Sequence, residues 1–171
     1  MRPKHLLGTC TALLLALAVV APGVAAGKAG GTDRPAKGTL SGTTTADLAT
    51  GTAISEGTGI LSHLGKVTYT NNTSFTIAGT TLTATGTSTT TAANGDQVFA
   101  TFTGTAQLSS PVPAVGGTTE ATLVITITGG TGRFSDASGT LTANLHQEVV
   151  SIAGTTIVLR DTATLRGTVS Y

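Results

Sequence analysis

Residues 125–141 read Ile-Thr-Ile-Thr-Gly-Gly-Thr-Gly-Arg-Phe-Ser-Asp-Ala-Ser-Gly-Thr-Leu. An alternating apolar run enters a cluster of glycines, carries Arg133-Phe134, and leaves through Gly139 into a second alternating run. Alternation with period two is the mark of a half-buried strand, and Gly129, Gly130 and Gly132 supply the backbone freedom of a tight turn. A dinucleotide-binding loop is excluded, because that pattern needs a third glycine where Ser135 stands and a helix to receive the pyrophosphate. No Gly-Lys-Ser/Thr ending follows, which removes the other phosphate loop. The stretch is a strand-turn-strand.

Period two extends outward from it in both directions. Gly38–Asp47, Thr52–Ser62, Lys66–Thr70, Thr80–Ala92, Gln97–Leu108, Thr119–Thr128, Thr140–Val150 and Thr155–Tyr171 all alternate, with Thr at most polar positions. β-Branched residues fit a pleated, half-buried surface. Asn94-Gly95 suits the two positive φ values of a type I′ turn, so its flanking strands are expected to pair as a hairpin. His63-Leu64-Gly65 reads as a corner, Asn71-Asn72 as a turn before a short return over Phe75–Ile77, and Gly57 with Gly59 as a bend or bulge. No segment has the period of a crossover helix. The expected fold is all-β, an up-and-down antiparallel barrel of about eight strands with no significant helix.

The beginning of the chain reads as an address. Arg2, Lys4 and His5 precede an apolar run over Leu6–Ala21, Pro22-Gly23 breaks it, and Val24-Ala25-Ala26 places small residues where a signal peptidase cuts. Residues 1–26 are therefore expected to be a signal peptide, cleaved near Ala26, and the protein to be secreted into the extracellular space. Residues 27–37 read as a flexible leader and 38–171 as a single barrel domain. No membrane span is expected once the signal is removed.

Composition narrows the chemistry. The one cysteine, Cys10, lies in the signal, so the rest of the chain has neither disulfide nor thiol chemistry, a pattern that leans towards a bacterial source. Removing Arg2 and Lys4 turns a net charge of +1 into −1. No basic run exists to hold a phosphate backbone, so nucleic acid is not an expected partner. With His63 and His146 the only later histidines, no metal site and no cofactor are expected.

This glycine segment resembles the Gly-Gly-Thr-Gly-x-Phe-x-x-Ala-x-Gly pattern of plant dirigent proteins and allene oxide cyclases. It is closer to secreted bacterial proteins of uncharacterised function that add a Ser/Thr-His-Leu-Gly-Lys/Arg corner, here Ser62–Lys66, and an Ala-Asn-Gly-Asp hairpin, here Ala93–Asp96. The resemblance implies an eight-stranded barrel around an apolar pocket, a small apolar molecule as partner, and a homo-oligomer. Dirigent proteins commonly carry Arg before the last glycine, where Ser138 stands, and no catalytic residue of these families maps onto this chain.

Asp161 is the residue that most invites chemistry. It shares the parity of Leu159, Ala163 and Leu165, so it should face the apolar interior, where a carboxylate is costly unless paired or neutralised. Tyr69, Gln147 and Glu56 are expected on inward faces with it, as a ligand pocket; the alternative is an Asp held for structural reasons, near a bulge or paired with Arg133. His146 and Glu148 share an outward face and read as solvated. No nucleophile elbow is present. The leading expectation is a non-catalytic barrel that binds a small apolar ligand or serves structurally. The alternatives are an isomerase or cyclase of the kind the resemblance implies, and a Thr-array surface that binds ice or adheres.

Overall fold

The computed structural model describes residues 31–108, 110 and 112–171; the expected signal peptide lies outside them. Eight strands follow in order: β1 (Arg34–Asp47), β2 (Thr52–Leu61), β3 (Gly65–Ala78), β4 (Thr81–Ala92), β5 (Gln97–Leu108), β6 (Thr118–Gly130), β7 (Ser138–Ala153) and β8 (Thr156–Ser170). Each pairs antiparallel with its chain neighbours, and β1 closes on β8, so the sheet is an up-and-down barrel without an edge. A single 3-10 turn, Gly132–Phe134, is its one helical element among the described residues. The expected fold class is the observed one.

Alternation decides the two faces. In β5, Val98, Ala100, Phe102 and Ala106 are buried while Phe99, Thr101, Thr103 and Thr105 are exposed. Outward threonines align across strands, as in Thr76–Thr83–Thr105–Thr122 and Thr87–Thr101–Thr126–Thr140. These ranks wrap a closed wall and do not lie in one plane.

Inward glycines make room for large neighbours. A Cβ on Gly57 would lie 2.7 Å from the Tyr69 ring, one on Gly42 2.5 Å from the Tyr69 hydroxyl, and one on Gly86 2.4 Å from Phe102. Gly57 and Gly59 were expected to bend β2, but that strand pairs in unbroken register on both sides. They are there for space. The bulges fall at Phe99/Ala100 and Val149/Ser151.

Three further expectations are corrected. Asn94-Gly95 does join β4 to β5 as a hairpin, but only Gly95 has a positive φ, so the turn is not type I′. The leader expected over 27–37 gives way to strand at Arg34, because Arg34–Lys37 continue the ladder to β8, with Arg34 opposite Val169. Asn71-Asn72 is no turn: β3 runs through it, and Asn71 pairs with Ser55 and Ser88 on either side. The parity of Val67 and Tyr69 carries straight on to Asn71, Thr73 and Phe75, and a hydrogen-bonded partner on each flank holds the strand extended.

The two ends differ. At one, the turns after β1, β3 and β7 and the segment between β5 and β6 surround a mouth. At the other, the turns after β2, β4 and β6 meet both ends of the described chain. There Val98, Ile127, Phe134, Ala137 and Val169 form the core cluster, backed by Leu64 and Tyr171.

Candidate functional site

The capped end gathers three motifs that are far apart in the sequence. Phe134 is fully buried, and its ring meets Tyr171 edge-on at 4.9 Å between centroids. The Arg133 guanidinium lies 4.7 Å over the Phe134 ring, donates to the His63 carbonyl, and stands 3.9 Å from Asp96. The His63 ring reaches the Pro35 carbonyl at 3.0 Å. Thr131 and Gln97 exchange two 2.8 Å bonds, from the Thr131 amide to the Gln97 carbonyl and from the Gln97 amide to the Thr131 hydroxyl. The glycines of the turn are tightly constrained: a Cβ on Gly130 would fall 2.1 Å from the Gln97 carbonyl, and Gly129 is buried. Gly132, with φ +57°, lies so close that its Cβ would strike the Asp96 carboxylate. The glycine segment is therefore a plug, with Phe134 as its stopper, and Arg133 serves the cap rather than Asp161.

Above the plug the interior is hollow. An inner chamber of about 120 Å³ lies against the cap, and an outer chamber of about 230 Å³ leads to the mouth, past Leu48, Ile77 and Val112. Ser55, Asn71, Phe102, Leu123 and Leu145 border both, forming a waist.

The buried polar residues Thr44, Ser55 and Asp161 sit at or beside that waist. Asp161 is 4% exposed. Its Oδ1 accepts from Gln147 Nε2 at 2.9 Å and its Oδ2 from the Thr44 hydroxyl. Thr44 Oγ1 and Ser55 Oγ are 2.6 Å apart; with the Thr44 proton given to Asp161, Ser55 donates to Thr44. Register builds this arrangement, since Gln147, Asp161, Gly42, Gly57 and Tyr69 are successive cross-strand partners on β7, β8, β1, β2 and β3. Burial pushes the Asp161 carboxyl above its ordinary value, against the lowering effect of the Thr44 and Gln147 bonds. Burial, and then the nearby Asp161 charge, push the Tyr69 phenol up to about 12. Asn71 Oδ1 is buried and has no hydrogen-bond partner among the described residues, an open acceptor at the waist.

Of the four pocket residues expected from sequence, Asp161, Tyr69 and Gln147 come together, and Glu56 does not. Glu56 is exposed on the outer face of β2, beside Ile54 and Ile60, which are also exposed. The isoleucines of β2 point outward and its glycines inward, because Tyr69 and Leu40 fill the space over Gly57 and Gly59. Reading parity from the isoleucines therefore inverts the strand. Thr44, Ser55 and Asn71 belong to the site and were missed as such. Asn71 was legible, because it extends the Val67–Tyr69 parity.

The outer wall carries the remaining charged pairs. His146 Nδ1 lies 2.5 Å from Glu120 Oε1, and Arg160 lies 3.3 Å from Glu148. All four are well solvated, and such pairs contribute little. Among the described residues no three His, Cys, Asp or Glu side chains gather as a metal would require.

The raised Asp161 carboxyl gives a pH prediction. A group whose folded pKa exceeds its unfolded value contributes stability that is fully present below the unfolded value, 3.8, and is lost as pH rises through the folded one. Asp161→Asn keeps a bond to both Gln147 and Thr44 and does not titrate. It is expected to match the parent protein below that window and to melt a few degrees higher at neutral pH. Thermal melts of the two proteins across pH check this, and a variant that melts lower at neutral pH overturns it.

No protein-family model, curated protein or solved structure matches the chain, so the site is interpreted from its own chemistry.

Proposed function

We propose that the protein is an exported barrel that binds a small, mainly apolar molecule, its polar end at the Asp161 waist and its apolar body in the outer chamber. The observation that carries this reading is the pairing of a hollow interior with an orphaned acceptor. Native proteins rarely leave a buried polar atom without a partner, and Asn71 Oδ1 is left so at the border of both chambers. Apolar pockets with a few convergent polar groups are the usual form of small-molecule sites.

The same geometry favours, in second place, the cyclase or isomerase reading that goes with the dirigent and allene oxide cyclase resemblance. Confinement in an apolar cavity needs few charged groups, and a buried carboxyl raised above its ordinary value is suited to act as an acid. The Thr-array reading has less support, because the aligned threonines curve around a barrel.

Native mass spectrometry of the protein purified from its own source tests the proposal. The expected result is a chain beginning at Gly27, carrying a small molecule that dissociates on activation. A protein that arrives bare, and that neither takes up nor releases a polarity-sensitive dye, would exclude the binding reading. A retained residue 1–26 would exclude export by signal cleavage.

A further inference from the structure

Among the described residues, Asp161 has no counter-ion. Its two oxygens accept from neutral donors, Gln147 and Thr44. The other described cations lie elsewhere: Arg133 at the cap near Asp96, Arg160 on the outer wall with Glu148, and Arg34, Lys66 and Arg166 exposed. Lys37 borders the inner chamber at its capped end and is itself exposed. The outer chamber is lined by no charged side chain among the described residues. The other titratable group of the waist is Tyr69, whose phenol stays neutral at ordinary pH.

The waist also holds unused acceptor capacity. Asp161 keeps lone pairs beyond its two bonds, and Asn71 Oδ1 has none of its capacity used. A carboxylate ligand brings only acceptors and a like charge. An alcohol brings one donor. An ammonium group brings three donors, no acceptor and the missing positive charge.

Resting on the binding reading above, we infer that the barrel selects amphiphilic amines, with the ammonium group between Asp161 and Asn71 and the alkyl or aryl body against Phe75, Leu82, Ile157 and Leu159 in the outer chamber. A buried carboxylate without a partner is costly, and the ligand supplies the partner. The interior thereby discriminates against fatty acids of the same size.

Three ligands with a common tail test this: octylamine, octanol and octanoate, titrated calorimetrically into the purified protein at neutral pH, with native mass spectrometry to establish one-to-one binding. Octylamine is expected to bind about tenfold or more tighter than octanol, the equivalent of a one-unit shift in a carboxyl pKa, and octanoate more weakly than either. In Asp161→Asn the amine advantage is expected to vanish while octanol still binds. Octanoate binding as tightly as octylamine, or an amine preference that survives in Asp161→Asn, overturns the inference and leaves the binding reading standing on octanol. Failure of all three ligands overturns both. The ranking in the parent protein decides the matter even if the variant does not fold.

Discussion

Phe134→Ala is expected to lower the stability of the barrel by about 3–5 kcal/mol, the usual cost of emptying a fully buried aromatic site. Several effects act together at this position. The ring is wholly excluded from solvent, packs within the cluster of Val98, Ile127, Ala137 and Val169, and meets Tyr171 edge-on. The wall around the gap is hydrogen-bonded sheet, which cannot collapse inward to refill it. Domains of this kind have only about 5–15 kcal/mol in reserve, so one truncation removes a large share. Denaturant unfolding checks this, and a loss below about 1 kcal/mol would show that the plug is not needed to hold the cap. Phe134→Leu, which keeps most of the volume, is expected to lose less.

Gly139→Ala is the second large effect, and here the cause is backbone geometry. Gly139 has φ +146° and sits so tightly against β8 that a Cβ would lie 2.2 Å from the Thr168 carbonyl and 2.9 Å from Val169 Cα. Neither contact involves a flexible side-chain end, so β7 and β8 must separate locally. The expected cost is about 3 kcal/mol or more, combining conformational strain with lost pairing. Gly154 is the control. It also has a positive φ, +62°, but nothing lies within 4 Å of its would-be Cβ, so Gly154→Ala should cost only about 1 kcal/mol. Equal losses in the two variants would refute the close-approach argument.

These two residues belong to the segment whose alternation first suggests a barrel, and they mark how far the sequence can be read. Alternation along β5, β6 and β8 identifies inward residues correctly, because most of their large apolar side chains lie inside, Phe99 and Val124 being exposed exceptions. That same rule carries Asp161 to the interior. It fails on β2, where Ile54 and Ile60 face outward and glycines face in, since what fills the interior there is Tyr69 from the neighbouring strand. Inward size is a property of adjacent strands together, and one strand's pattern does not report it. Asn71-Asn72 fails differently: the residue types suit a turn, and the ladders on both flanks override them.

The cap was illegible for a third reason. His63, Asp96, Arg133 and Tyr171 are spread over much of the chain, and no local pattern states that four turns and ends will meet. The sequence marks Arg133 and Phe134 as notable without showing that one is a clamp and the other a stopper. At the waist, Asp161 could be identified but its partners could not, because Thr44 and Ser55 look like any of the many hydroxyl residues on the barrel wall.

The closure of β1 on β8 sets Arg34 opposite Val169, and places both ends of the described chain beside Phe134, at the pole away from the mouth. Anything joined to either end, whether a tag, a fused domain or a solid support, therefore holds the barrel by its base. An immobilised sample would present the opening at Leu48 and Val112 to the solution. The turn at Gly154, at the opposite pole, is the place to attach a probe that must sense entry.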